Sequence, residues 1–381
     1  MIQGSAQQVI NKEILLMIYD ASHMIRWNDQ VRSVEMTELD KQAHKMITAF
    51  VLGKLYKSNI KKGFWLSIIE AGFFEFLQRI VLTDLKPQLF HEIKKDSVKY
   101  KKLNQWVYKR IQPSISILGE PFCIRFREYI NDDNTESIVR KIIGASHFYV
   151  TKWEYEIISR FNPNLDSVNE IKKSIEDEQE KYKDLKALEA LLKDERLKRF
   201  IDICGQLRFQ IRWSHLYRIP RTSVLGHMLV VALFSYVFSS HAKASEEMIT
   251  NNYFTGLFHD LPEVLTRDII NPVKRSVEGL DKLIKGYEKK EMDKKIYNLI
   301  PVDWYDDIKR YTENEFDDID NRSGSLVKAA DDLAAFIEAY LCLRNGIKNN
   351  DMVIAKKKII DKYKGKEILG IDLDGIYSQF K

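Results

Sequence analysis

Apolar residues recur at intervals of three and four along nearly the whole chain, as in ALEALLKDERLKRFIDI (187–203) and AADDLAAFIEAYLCL (329–343). That spacing gathers them on one side of an α-helix, whereas the alternation expected of half-buried strands is scarce. Only 8 prolines and 16 glycines interrupt the 381 residues. The pattern predicts an all-α protein. The stretch MLVVALFSYVF (228–238) is apolar on every face. It is too short to span a bilayer and reads as a buried helix. The segment NEIKKSIEDEQEKYKDLKALEALLKDE (169–195) is so charged that most of it must be solvated. It predicts a helical connector with charge pairs at spacings of three and four.

The helical pattern also repeats. MIRWNDQVR aligns with QIRWSHLYR, pairing Arg26 with Arg212, Trp27 with Trp213 and Arg32 with Arg218. Further on, His44 pairs with His227, Glu75 with Glu263, Arg79 with Arg267, Lys86 with Lys274 and Ser137 with Ser325. Four ordered matches predict one helical unit present twice. In this alignment the first copy has Ala71-Gly72 where the second has His259-Asp260. It also has Ile80 for Asp268 and Ile143 for Asp331. A copy without those groups cannot hold the same ion. The expected organisation is a degenerate helical domain over 1–165, a charged connector over 166–200 and an intact domain over 201–381.

Composition changes this picture little. Apolar content of 45%, charged content of 30% and a net charge of +5 suit an ordinary globular chain. Lysines and glutamates are interspersed, so no basic arm points to nucleic acid. The three cysteines, Cys123, Cys204 and Cys342, are far apart, which fits a reducing compartment. The N-terminal segment lacks a basic region followed by an apolar one, so a cytoplasmic protein is expected.

Candidate chemistry lies in the second copy. His227, His259, Asp260 and Asp331 form a ligand set of two imidazoles and two carboxylates. Such a set suits one borderline divalent ion: Mn²⁺, Co²⁺, Ni²⁺, Fe²⁺ or Zn²⁺. The adjacent His-Asp pair would chelate from one helix end, with His227 and Asp331 projecting from other helices. Glu263 follows His259 by four residues and Asp260 by three. It shares their face if the helix continues, or starts a new turn if Pro262 breaks it. Either way a carboxylate there could orient a water or take its proton.

Three strings, IRWSHLYRIPRTSVLGH, HDLPEVLTRDIINPVK and SLVKAADDL, occur in that order. Together they strongly resemble the HD-domain phosphohydrolase superfamily, and within it the bacterial 5′-deoxynucleotidase family, over about residues 205–365. The resemblance implies metal ligation by His227, His259, Asp260 and Asp331. It implies catalysis and substrate contact by Glu263 and Asp268. Arg212 would take the phosphate, Trp213 the sugar face, and Lys274 is a weaker substrate candidate. Gly226 stands where the family usually carries glutamate. Because members of the superfamily commonly act as homodimers, the tandem chain reads as an intramolecular pseudo-dimer, with further dimerisation open. Arg26, Trp27, His44 and Glu75 of the degenerate copy read as packing relics in preference to a metal-free nucleotide site.

The expected activity is hydrolysis of the 5′-phosphate of (deoxy)nucleoside monophosphates, with a small nucleotide as the partner and neither nucleic acid nor membrane. The competing readings are a nucleoside triphosphate hydrolase, a phosphodiesterase or a non-catalytic nucleotide sensor. Val264 after Glu263 counts against an alarmone hydrolase, which usually carries a second acid there.

Overall fold

The computed structural model describes residues 9–57, 60–83, 85–132, 137–162, 166–269, 273 and 276–380. Helices dominate it, as the apolar spacing predicts. The single sheet among the described residues is a hairpin of Glu367–Ile368 against Ile371–Asp372. Its two-residue turn puts Leu369 and Gly370 both at positive φ (50° and 80°). That backbone matches the strand twist and is costly for the leucine.

Two helices form the centre. Glu38–Leu55 starts at Thr37, whose hydroxyl accepts the Asp40 N–H, and Val224–His241 starts at Ser223, which caps the Gly226 N–H. Both are 18 residues long and buried on nearly all sides. Val224–His241 is apolar and long enough to cross a membrane by composition, yet 89% of it lies inside the fold. The two N-termini meet: Ser223 donates to the Asp40 carboxylate. A Cβ on Gly226 would come within 3.1 Å of Asp40 Oδ1 and of Leu39. This contact accounts for glycine at that position, because Asp40 already fills the space.

One continuous apolar cluster runs from Ile10 to Phe380 and takes in both halves. Phe50 packs edge-on against Phe254 and Phe258, with ring centroids 5.0 and 5.2 Å apart. The Tyr236 hydroxyl donates to Glu70 (2.7 Å) and the Tyr19 hydroxyl to the Ala334 carbonyl (2.7 Å). The charged segment 169–195 forms two helices, Asp166–Glu180 and Lys186–Lys193, rather than one. Tyr182, in the turn between them, lies where a Cβ on Gly144 would meet its hydroxyl at 2.2 Å. Leu188 and Leu191 then bury into the shared core.

The halves repeat local geometry in detail. Isolated bridges join Ile25 to Thr37 and Ile211 to Ser223. Trp27 and Trp213 both sit at φ 55°. These pairs, like the two caps, are separated by 223 − 37 = 186 positions. Helices Ile138–Ile158 and Gly324–Arg344 each have 21 residues. Glu154 and Glu338 accept the indole N–H of Trp27 and Trp213 at 2.9 and 2.8 Å, and these acids are 338 − 154 = 184 apart. Thr83 and Arg267, also 184 apart, both take positive φ and close the turn on the carbonyls of Arg79 and Glu263.

This register differs from the sequence alignment. It places Lys41, not His44, opposite His227. It places His147, not Ile143, opposite Asp331; Glu75 opposite His259; and Arg79 opposite Glu263. Asp84, opposite Asp268 in this register, lies outside the described residues. His44 points away instead, against Gly205 and Arg208.

The fully buried His44 ring has a fixed tautomer. Arg208 can only donate, so Nδ1 accepts from it (3.2 Å) and Nε2–H donates to the Ile201 carbonyl (3.0 Å). Burial first, and then the Arg208 charge, lower its pKa to about 3. The unfolded chain binds this proton near pH 6.5. Stability is therefore complete above pH 6.5 and falls as pH drops towards 3, by about 1.4 kcal/mol per pH unit for this group. Urea unfolding between pH 7 and pH 5 should show that slope, and His44→Gln should flatten it by one proton.

Candidate metal centre

His227 sits in the first turn of Val224–His241, fixed there by the Ser223 cap. The next helix, Glu246–Phe258, presses against it at Gly256, where a Cβ would lie 2.7 Å from the Ala232 backbone nitrogen. Only glycine allows that approach. It delivers His259, the C-cap of the second helix, to 5.4 Å from the His227 ring centre. Asp331 arrives from Gly324–Arg344.

One ligand atom each of His227, His259 and Asp331 lies within 4.8 Å of the others, the one such group among the described residues. His227 Nε2 is 2.9 Å from Asp331 Oδ1. Asp260 lies outside that mutual set, yet its Oδ2 is 3.1 Å from His259 Nε2 and 3.7 Å from His227 Nε2. His259 Nδ1 is 2.8 Å from the Gly256 carbonyl, so this nitrogen carries the proton. Nε2 is thereby aimed into the centre, the arrangement typical of metal-ligating histidine. Nε2 has a carboxylate nearby but no aligned hydrogen bond. The residues present thus fit a divalent cation.

The electrostatics agree. Burial lowers the pKa of His227, reinforced by the Arg212 charge, so it is a neutral donor. Burial would lower that of His259 too, but the Asp260 carboxylate outweighs it and pushes the imidazole up to about 9. Burial works against ionised Asp331, yet the Lys328 charge prevails and holds it well below the usual carboxylate range. Two ionised carboxylates therefore converge on two imidazoles, and the proton on His259 stands where a cation would serve better.

A second layer positions these groups. Arg212 Nη1 reaches Asp260 Oδ2 at 3.5 Å, and its Nε lies 3.5 Å from Glu338 Oε2. Glu338 is fully buried and also accepts from Trp213 (2.8 Å) and Thr222, with Arg218 at 3.7 Å. Lys328 is pinned between Asp331 (2.7 Å) and Asp332 (3.0 Å). The Trp213 ring rests on a small apolar cluster of Ala339, Cys342 and Met352.

Of the other expected residues, Glu263 opens the short helix Glu263–Thr266, so Pro262 does start a new turn. Its N–H donates to the Asp260 carbonyl at 3.0 Å. Asp268 is half-buried and near enough to stabilise the Arg212 cation. Lys274 lies outside the described residues. The sequence reading missed Glu338, Thr222, Lys328 and Glu315. Glu338 follows Asp331 by seven residues, two turns along the same helix face, which was a usable signal. Burial raises the carboxyl of Glu315, whose charge interacts with His259 and Asp260. No local pattern marks it.

The HD domain family matches residues 204–367. A 5′-deoxynucleotidase of Cronobacter sakazakii is 29% identical over 177 residues, covering 42% of this chain and 79% of that protein. One of Vibrio vulnificus is 27% identical over 159 residues, covering 39% and 75%. Among solved structures, an HD-domain phosphohydrolase from Listeria innocua aligns with a TM-score of 0.39 at 16% identity, covering 48% of this chain and 83% of that one.

Proposed function

We propose, from the premise that residues 204–367 form an HD domain, that this half is a metal-dependent phosphohydrolase acting on nucleoside 5′-monophosphates, deoxynucleotides first. The observation that carries the reading is the convergence of His227, His259 and Asp331 within 4.8 Å, with Arg212 beside Asp260. The named relatives, which are 5′-deoxynucleotidases, support the substrate class.

His227, His259, Asp331 and Asp260 would hold one divalent ion, with Mn²⁺, Co²⁺, Ni²⁺, Fe²⁺ and Zn²⁺ all compatible with the donors. When bound, it would polarise the phosphoryl group and lower the pKa of the attacking water. Arg212 offers a fork of donors matched to phosphate oxygens, and Glu338 and Asp260 fix the plane of that fork. Glu263 is assigned to the water, orienting it or taking its proton. Asp268 is assigned to Arg212 and the substrate. Trp213, anchored through its N–H, presents a rigid ring to the sugar, where it leaves little room for a 2′-hydroxyl. A P–O bond forms to water, the bond to the 5′-oxygen breaks, and nucleoside and phosphate leave.

Both halves read as copies of one unit, fused as a pseudo-dimer, on the paired caps, bridges and tryptophan–glutamate contacts. The three cysteines are free and buried, which suits a reducing compartment.

Phosphate release from deoxy- and ribonucleoside 5′-mono- and triphosphates tests the reading. Release from deoxymonophosphates should vanish in EDTA and return with a transition metal. A protein that binds metal yet releases phosphate from none of them overturns it.

A further inference from the structure

In the structural register, the N-terminal half carries a carboxylate, Glu75, at the place of His259 but changes the charge at three other positions of the candidate site. His227 becomes Lys41, Asp331 becomes His147, and Glu263 becomes Arg79. The platform around them stays. Arg26 bonds Glu154 (2.8 Å) and Glu38 (2.9 Å), and Trp27 donates to Glu154. The sequence reading of these residues as packing relics does not account for what the substitutions have done to the charge.

Four cations, Arg26, Lys41, Lys45 and Arg79, surround His147. Lys41 and Lys45 are fully buried. Three carboxylates face them, and each is already engaged. Glu38 takes Arg26 and Arg79 (3.5 Å), Glu75 takes Lys45 (3.0 Å) and the Tyr129 hydroxyl (3.1 Å), and Glu154 takes Arg26 and Arg208 (2.8 Å). Among the described residues no carboxylate lies within ion-pair distance of Lys41. Its partner is the His147 ring, which touches it through Nδ1 and lies 3.3 Å away at Nε2. A buried ammonium without an anion is strongly disfavoured. Burial, and then the Arg26 charge, accordingly press the Lys41 pKa well below its usual value. Burial and Lys41 do the same to His147. The cluster is not sealed: the side chains of Arg26, Arg79 and Glu75 retain 14%, 28% and 33% exposure.

We propose that this cluster is a metal-free site for a phosphate monoester, with Lys41, Lys45, His147 and Arg26 receiving the phosphoryl group and Trp27 facing the nucleoside. The nucleoside part rests on the functional reading of the other half; the anion part rests on the charges alone. A phosphoryl group would supply Lys41 with the anion that no described carboxylate places within ion-pair distance.

The test uses the full chain in EDTA, so that catalysis does not enter. Melting temperature is followed against inorganic phosphate and against deoxyadenosine 5′-monophosphate, in wild type, His259→Ala and Lys41→Met. At least one of the two anions should stabilise wild type and His259→Ala in a concentration-dependent way. Lys41→Met should weaken that binding by roughly tenfold or more, the scale of a charged hydrogen bond. Without ligand, Lys41→Met should melt higher than wild type, since it replaces a buried amine that no carboxylate faces at ion-pair distance by an apolar side chain; a lysine with a purely structural role would give the reverse. Stabilisation by phosphate alone or by both anions places the site on the phosphoryl group. Stabilisation by the nucleotide alone, lost in Lys41→Met, retains it with Trp27 contributing. No stabilisation by either, or an undiminished shift in Lys41→Met, overturns the proposal. Loss of metal-dependent phosphate release would instead count against the catalytic reading and leave these melting data untouched.

Discussion

Asp260→Ala should lower metal-dependent phosphate release by roughly three orders of magnitude, the scale on which enzymes lose rate when a group stabilising transition-state charge is removed. Asp260 touches three partners that matter: His259 at 3.1 Å, His227 at 3.7 Å and Arg212 at 3.5 Å. Without it the His259 imidazole loses the carboxylate that pushes it up to about 9, and falls towards the value its burial dictates. The ion loses a donor and Arg212 loses one of the two acids that aim it. The fold should survive, because Asp260 lies in the turn after Phe258 and outside the apolar cluster. Calorimetric titration with Mn²⁺ or Co²⁺ should show weakened binding, while the urea midpoint moves little. Retained full activity would remove Asp260 from the site.

Glu338→Ala should act on the fold itself. This carboxylate is fully buried and accepts from Trp213 and Thr222, beside Arg212 and Arg218. Its removal leaves two largely buried guanidinium groups facing each other without an acid between them. Breaking a buried pair in this way costs on the order of 3–5 kcal/mol, a large part of the stability of most proteins. Glu154→Ala should cost a similar amount, because Arg26 and Arg208 depend on it in the same way. The two variants separate in activity. Glu338→Ala frees Trp213 and Arg212 and should abolish phosphate release even where the protein is still folded. Glu154→Ala disturbs the other half and should leave a measurable rate. Urea unfolding followed by circular dichroism, with phosphate release on the folded fraction, reads both effects. A change below about 1 kcal/mol in Glu338→Ala, the size of an exposed ion pair, would mean that the cluster is wetter than its burial indicates.

The helices and the candidate residues His227, His259, Asp260 and Asp331 could be picked out from the chain because the signals for both are local. Apolar spacing along 228–238 marks a buried helix whatever it packs against, and His259-Asp260 are neighbours in sequence. The identical IRW triplets are local too, and in the structure both tryptophans sit at φ 55° and donate to a glutamate of a 21-residue helix. What pairs across the fold could not be read. Sequence alignment set His44 opposite His227, since both are histidines; the caps Thr37 and Ser223 set Lys41 there instead. Glu338 and Glu154 looked like ordinary helix glutamates until the crossing of the 21-residue helices brought each beneath a tryptophan and two arginines. The C-terminal stretch KGKEILGIDLDGIYSQFK (364–381) carries no motif that marks its partners. In the fold, the Gln379 amide holds the Ile10 carbonyl at 2.8 Å and Phe380 packs on Phe336, with ring centroids 5.3 Å apart. Periodicity and residue type determine which element forms and which ions it can bind. Which charges end up sharing a buried space depends on helix crossings hundreds of residues apart, and only the packed structure decides that.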